Sequence, residues 1–246
     1  MRIHYRFSFN DGSMKSFKVN LDSENMNVIP SNNQTRPEWT KVANCRCQNC
    51  QINAHETQFC PIAVNISDAV HFFKAYISYE RVKVTVITDD RLYGKKTTVQ
   101  KALGSLLGIY MAASGCPSME KLKPMVRFHL PFATVEETMF RSVSAYLLGQ
   151  YFLKKQGGYA DLDLVQLADF YKGIHMVNRG MAERLRQVVG KDAVNNAVIC
   201  LDMFAKELPY AIEDGLEEMK GLFNVYWRQT STGSNRYESN GKVRRK

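Results

Sequence analysis

The stretches Val82-Lys-Val-Thr-Val-Ile-Thr88 and Thr97-Thr-Val-Gln-Lys-Ala-Leu-Gly-Ser-Leu-Leu-Gly108 decide the fold class. In the first, valines alternate with Lys and Thr, the period of two that a strand imposes on its faces. In the second, Ala102, Leu103 and Leu106 begin a helical series that continues through Tyr110 and Ala113. The change of period near Thr98 separates a region of strands from a region of helices. That is the pattern of an α+β protein.

Outward toward the N-terminus, Asp89-Asp90 turns the first stretch into a second arm running from Leu92 to Val99. Residues 2–9 place Ile3, Tyr5, Phe7 and Phe9 on one face, Asn10-Asp11-Gly12 supplies a hairpin turn, and alternation resumes through Phe17, Val19 and Leu21. Between the hairpins, a polar loop over 22–38 precedes an amphipathic helix expected over 66–79, with Ser67 or Asn65 as its cap. The expected order is ββαββ for residues 1–98.

Outward toward the C-terminus, residues 99–227 read as a helical bundle. Gly104, Gly108 and Ser105 give the 99–114 helix a face that a second helix can approach closely. Gly115 suits a left-handed C-terminal position, and Pro117 suits a first helical turn with Cys116 near its N-cap. Val126–Pro131 reads as an extended connector. Thr134-Val-Glu-Glu137 is a capping box, opening a helix that runs to about Gln156 and stops at Gly157-Gly158. A helix follows through Leu164–Leu185, then one through Val194–Leu208 ended by Pro209, then a last one through Ile212–Tyr226.

Residues are 45% hydrophobic and 23% charged over 246 positions, the balance of an ordinary soluble protein. The net charge of +9 is unevenly spread. Residues 228–246 hold Arg228, Arg236, Lys242, Arg244, Arg245 and Lys246 against Glu238, so more than half of the excess sits in a Ser, Thr, Gly and Asn-rich segment. Such a composition reads as a disordered tail, with nucleic-acid binding as its functional alternative. The N-terminus lacks the apolar core of a secretory signal, and Ala102–Cys116 is too short to span a bilayer, so a cytoplasmic protein with no membrane partner is expected.

Four of the six cysteines, Cys45, Cys47, Cys50 and Cys60, fall within one short polar segment. The CxxC of Cys47 and Cys50 brings two thiolates around one turn, and the Cys60-Pro61 and Cys116-Pro117 pairs each place a thiol where backbone N–H groups can stabilise its charge. Cys47, Cys50, Cys60 and Cys116 are therefore the candidate ligands of a closed, structural zinc site. An iron–sulfur cluster uses the same soft donors, and reduced or disulfide-forming thiols remain the plain alternative. Cys45 and His55 are spare ligands. Cys200 lies beside an apolar helical stripe and reads as a small core residue.

The Thr97–Gly108 segment, the turn Ser114-Gly-Cys-Pro117 and the connector Arg127-Phe-His-Leu-Pro-Phe-Ala-Thr134 together resemble a family of bacterial proteins of unknown function. The resemblance covers about residues 1–227. It implies that Cys47, Cys50, Cys60 and Cys116 occupy the family's cysteine positions and that Cys45 is an addition. It implies no activity.

Two further clusters carry candidate chemistry. Arg127, His129, Glu136, Glu137 and Arg141 surround the connector; His129 facing a pocket would be a general base, against the simpler reading of capping and i,i+4 pairing. His175, Asn178, Arg179, Glu183 and Arg186 share one helix as an anion site or a solvated face. No P-loop, GxGxxG, HExxH or GxSxG motif is present. The expectation is a non-enzymatic, metal-stapled module with a protein partner or a regulatory role. An iron–sulfur redox protein or an enzyme using the His129 region is the rival.

Overall fold

The computed structural model describes residues 1–31 and 34–228. Of the basic tail expected over 228–246, Arg228 is helical and residues 229–246 lie outside the described residues. The described residues fall into two compact units, Met1–Pro209 and a second that begins at Tyr210. The sheet-bearing and helical regions divided at 98/99 by their sequence period share the first unit.

Strands β1 (Arg2–Phe9), β2 (Met14–Asn20), β3 (Arg81–Thr88) and β4 (Leu92–Thr98) form one antiparallel sheet in the order β2-β1-β3-β4. Registers such as Tyr5 opposite Phe17 and Val86 put the alternating apolar residues on one face. On that face Ile3, Tyr5, Phe7, Val19, Val84 and Val86 are all at most 1% exposed. Helix α1 (Pro61–Phe73) crosses it, with Phe73 at 5.0 Å from Phe7 and 5.9 Å from Phe17 between ring centroids. The N–H groups of Val99 and Gln100, which begin α2 (Val99–Ala112), are taken up by the carbonyls of Glu80 and Ser78 at 2.9 and 3.1 Å.

The α+β class and the ββαββ order stand. Helix α1 begins earlier than the 66–79 expected, because Pro61 has the fixed φ of a first helical residue and Cys60 is the N-cap. Asn65 and Ser67 are therefore inside the helix, where the Ser67 hydroxyl donates to the Val64 carbonyl at 2.8 Å. A 3-10 turn over Pro117–Leu122 leads into α3 (Lys123–Arg127), so the expected connector at Val126–Pro131 starts as helix, opened by Pro124.

Helix α4 (Val135–Lys155) starts at the expected capping box: Glu137 N–H donates to Thr134 Oγ1 at 3.1 Å, and Thr134 N–H to Glu137 Oε2 at 2.7 Å. It ends in a Schellman motif at left-handed Gly157. Helix α5 (Val165–Arg186) finds an acceptor for its first turn upstream: the Asp161 carboxylate accepts the Gln166 N–H at 2.8 Å and also the Tyr146 hydroxyl at 2.8 Å. Asp192, just before α6 (Ala193–Glu213), receives the N–H and hydroxyl of Ser78, both at 2.8 Å, and so fastens the α5–α6 turn to the turn that precedes β3. The glycine face of α2 meets α6: a Cβ on Gly104 would lie 3.3 Å from the Ala197 carbonyl, and one on Gly108 3.2 Å from Leu201.

Proline 209 does not end α6, which runs on to Glu213. The expected stop fails because a proline removes one helical bond without forbidding the turns after it. In the second unit the single helix expected over Ile212–Tyr226 is broken by left-handed Gly215 and Leu216, whose N–H groups return to Ile212 and Ala211 at 3.0 and 2.8 Å. The short helices α7 (Glu217–Lys220) and α8 (Asn224–Arg228) follow. No described helix is long and apolar enough to cross a membrane.

Candidate functional site

The cysteine segment is a loop drawn closed at its neck. Val42 N–H donates to the Gln58 carbonyl at 2.9 Å, and Cys60 N–H to the Thr40 carbonyl at 2.8 Å, beside fully buried Thr40. This pairing delivers Cys60 to the start of α1. Farther out, Cys50 N–H bonds the Cys47 carbonyl at 3.0 Å, which makes the CxxC turn.

The loop lies directly on α5. Asn49 Nδ2 donates to the Gly173 carbonyl at 2.9 Å, Cys47 Sγ faces the Val177 carbonyl at 3.8 Å, and Cys45 Sγ the Gly180 carbonyl at 3.6 Å. Gly173, Val177, Gly180 and Arg184 are one helical stripe by spacing. At Gly180 a Cβ would stand 2.8 Å from Cys47 Sγ and 2.9 Å from its Cα, so only glycine admits the loop. Arg184, 3% exposed, donates to the carbonyls of Trp39 (2.5 Å), Lys41 (2.7 Å) and Cys45. No carboxylate pairs with this guanidinium among the described ion pairs.

Sequence reasoning named the cysteines and missed this stripe. Its signal was present: two glycines seven residues apart inside a strong helical pattern cost helix stability and ask for a packing reason.

The four candidate thiols lie within electrostatic reach of one another. Burial, and then Cys60, Cys50 and Cys116, push the Cys47 thiol up to about 12, with Arg184 opposing. Cys116 is raised to about 11 by burial, with Cys60 and Cys50 adding to it and the Ser118 N–H pulling the other way. Burial also raises Cys60, while the N–H groups of Ala63 and Ile62 and the Arg184 charge favour its thiolate. That is the local effect expected of a Cys-Pro helix start. His55 is exposed on the loop. Among the described residues, no three His, Cys, Asp or Glu side chains stand in ion-holding geometry.

The second sequence cluster divides. Glu137 is occupied by its capping box, and Arg141 passes it by to donate to the carbonyls of Met125 (3.0 Å) and Phe128 (2.8 Å). His129 Nε2 meets the Tyr5 hydroxyl at 2.6 Å, and that hydroxyl is 2.8 Å from Ser105 Oγ, which accepts the Phe132 N–H at 3.3 Å. Burial first, and then Arg141, lower His129 to about 3. A ring so weakly basic is neutral at pH 7 and poorly matched to general-base work. Its partner, Tyr5, is 124 positions away in sequence.

The α5 polar group divides too. His175 Nδ1 pairs with Asp202 at 2.7 Å, Asn178 is buried, and Arg179, Glu183 and Arg186 are exposed. Cys200 is half-buried, 3.9 Å from where a Gly104 Cβ would be.

These features define an α+β protein in which a cysteine-rich loop is clamped to a helical body by a buried arginine. The chain belongs to the family described as a domain of unknown function, DUF6901, matched over residues 3–224. The family resemblance drawn from the sequence thus stands at the level of an uncharacterised family. No curated protein and no solved structure matches the chain.

Proposed function

We propose that Cys47, Cys50, Cys60 and Cys116 hold one thiophilic metal ion, zinc in first place, that locks the 38–60 loop to the body of a non-enzymatic module with a protein partner or a regulatory role. The observation that carries this reading is the gathering of four thiols from three chain segments beside the buried Arg184 guanidinium. The donor set is soft throughout, and four thiolates around zinc leave no open position for substrate, which makes the role structural. Such a site carries net negative charge, and Arg184 together with the N–H groups after Cys60 and Cys116 offsets it. The reading rests on this neighbourhood of soft donors and not on a preformed cage, since among the described residues no three of them stand in ion-holding geometry; binding would have to draw the thiols together and displace their protons. The ion would supply a cross-link. The exposed side chains of Leu148, Tyr151 and Phe152 on α4 offer apolar surface for a protein partner.

The test is metal analysis and visible absorption of anaerobically purified protein. A colourless protein with about one zinc per chain supports the structural reading. A brown protein with iron and labile sulfide assigns the same cysteines to a redox cluster. Cys60→Ser should release the ion, whereas Cys45→Ser should retain it. Metal-free protein melting at the same temperature as the purified protein would sink the proposal.

A further inference from the structure

A cavity of about 510 Å³ lies inside the Met1–Pro209 unit, bounded by α2, the 128–134 connector, α4, α5 and α6. Its volume falls within the roughly 300–1,000 Å³ range of small-molecule sites. The body of the space is apolar and rich in thioethers, with Met111, Met119, Met125 and Met203 among its walls. Methionine side chains adapt to a flexible apolar guest better than branched ones do.

The polar part of the lining is one-sided. It includes the cations Lys95, Lys101 and Arg141 and no Asp or Glu. One nitrogen of Arg141 serves both of its carbonyl acceptors, and the described ion pairs give this residue no carboxylate partner. Asn178, only 2% exposed, also lines the cavity, and its buried Nδ2 has no hydrogen-bond partner. An orphaned buried donor is destabilising, and an acceptor on a bound molecule removes that cost. His129, neutral and committed to Tyr5, brings no charge of its own.

We propose that this cavity binds an amphipathic organic carboxylate of the aliphatic, fatty-acid type, its chain among the methionines and its charge held by Arg141, Lys95 and Lys101. The apolar walls supply affinity in proportion to the chain buried, and the cationic lining with no compensating acid supplies the choice of an anion.

The experiment is calorimetric titration of the full chain, as purified, with decanoate, and in parallel with decanol and decyltrimethylammonium. Decanoate should bind with about one site per chain and about tenfold or more tighter than decanol, the scale of one charge-assisted hydrogen bond, and the cation should not bind. Arg141→Met should erase most of the preference for decanoate over decanol. Because Arg141 also holds two carbonyls, the doubly substituted Lys95→Met, Lys101→Met variant, changed only at exposed positions, tests the charge again and should narrow the preference. Met203→Trp, at an exposed edge of the cavity, should weaken both ligands while circular dichroism stays native. Equal affinity for all three probes, binding untouched by Met203→Trp, or no decanoate binding at millimolar concentration would each overturn the proposal.

Discussion

Gly180 is the residue at which helix propensity and tertiary contact disagree most. Alanine stabilises a helix over glycine by about 1 kcal/mol, and at Gly149, an exposed position of α4 with nothing within 4 Å of a Cβ, Gly149→Ala should raise stability by that amount. At Gly180 the same change puts a methyl 2.8 Å from Cys47 Sγ, so it should instead lower stability by about 1–3 kcal/mol, the usual range for overpacking. Urea denaturation of the two variants decides the matter, and equal shifts would refute the close approach of loop and helix. His129 makes a second residue-scale prediction. Its folded value of about 3, set by burial and by Arg141, lies below the ordinary value of 6.5. Between those values the unfolded chain binds the proton and the folded chain does not, so stability falls as pH drops from 6.5 toward 3. The slope from this group is at most about 1.4 kcal/mol per pH unit. Melting curves from pH 7 to 4 should be flatter for His129→Gln than for the parent; parallel curves would show that the imidazole is not held neutral.

At the scale of elements, the latch between the cysteine loop and α5 depends on one side chain. Arg184→Met keeps the aliphatic stem and leaves the carbonyls of Trp39, Lys41 and Cys45 without their buried donor. It should cost about 2–4 kcal/mol, on the order of several lost charge-assisted bonds less their solvation. Hydrogen exchange locates the effect: the Val42 and Cys60 amides at the neck of the loop should lose protection before those of β1. Uniform loss across the sheet would show that Arg184 supports the whole unit and not the loop. Which elements were legible in the sequence follows from the range of the forces that form them. Strands β1 to β4 and the capping box at Thr134 depend on neighbours a few positions away, and their residues announce them. The start of α1 lies upstream of the expected one because the apolar run Ile62-Ala63-Val64, read locally as part of the loop, is buried as the first turn of the helix that Pro61 opens. The Gly173–Arg184 stripe and the Tyr5–His129 pair depend on contacts across more than a hundred positions, so no local pattern identifies their partners.

For the whole molecule, the shared unit Met1–Pro209 implies joint unfolding. Sheet and helices are tied by Tyr5 to Ser105, by Ser78 to Asp192 and by the loop clamped under Arg184. Denaturant curves from far-ultraviolet dichroism and from near-ultraviolet aromatic signals should therefore coincide over this unit. A separate early transition confined to residues 1–98 would instead make the change of sequence period a true domain boundary. The order β2-β1-β3-β4 has one more consequence. It leaves β2 and β4 at the rims, each with a row of backbone groups on which a foreign strand could grow. Lys18 on one rim and Lys95 and Lys96 on the other are exposed. Stacking two such rims would bring like charges together, which opposes edge-to-edge pairing between copies of the chain.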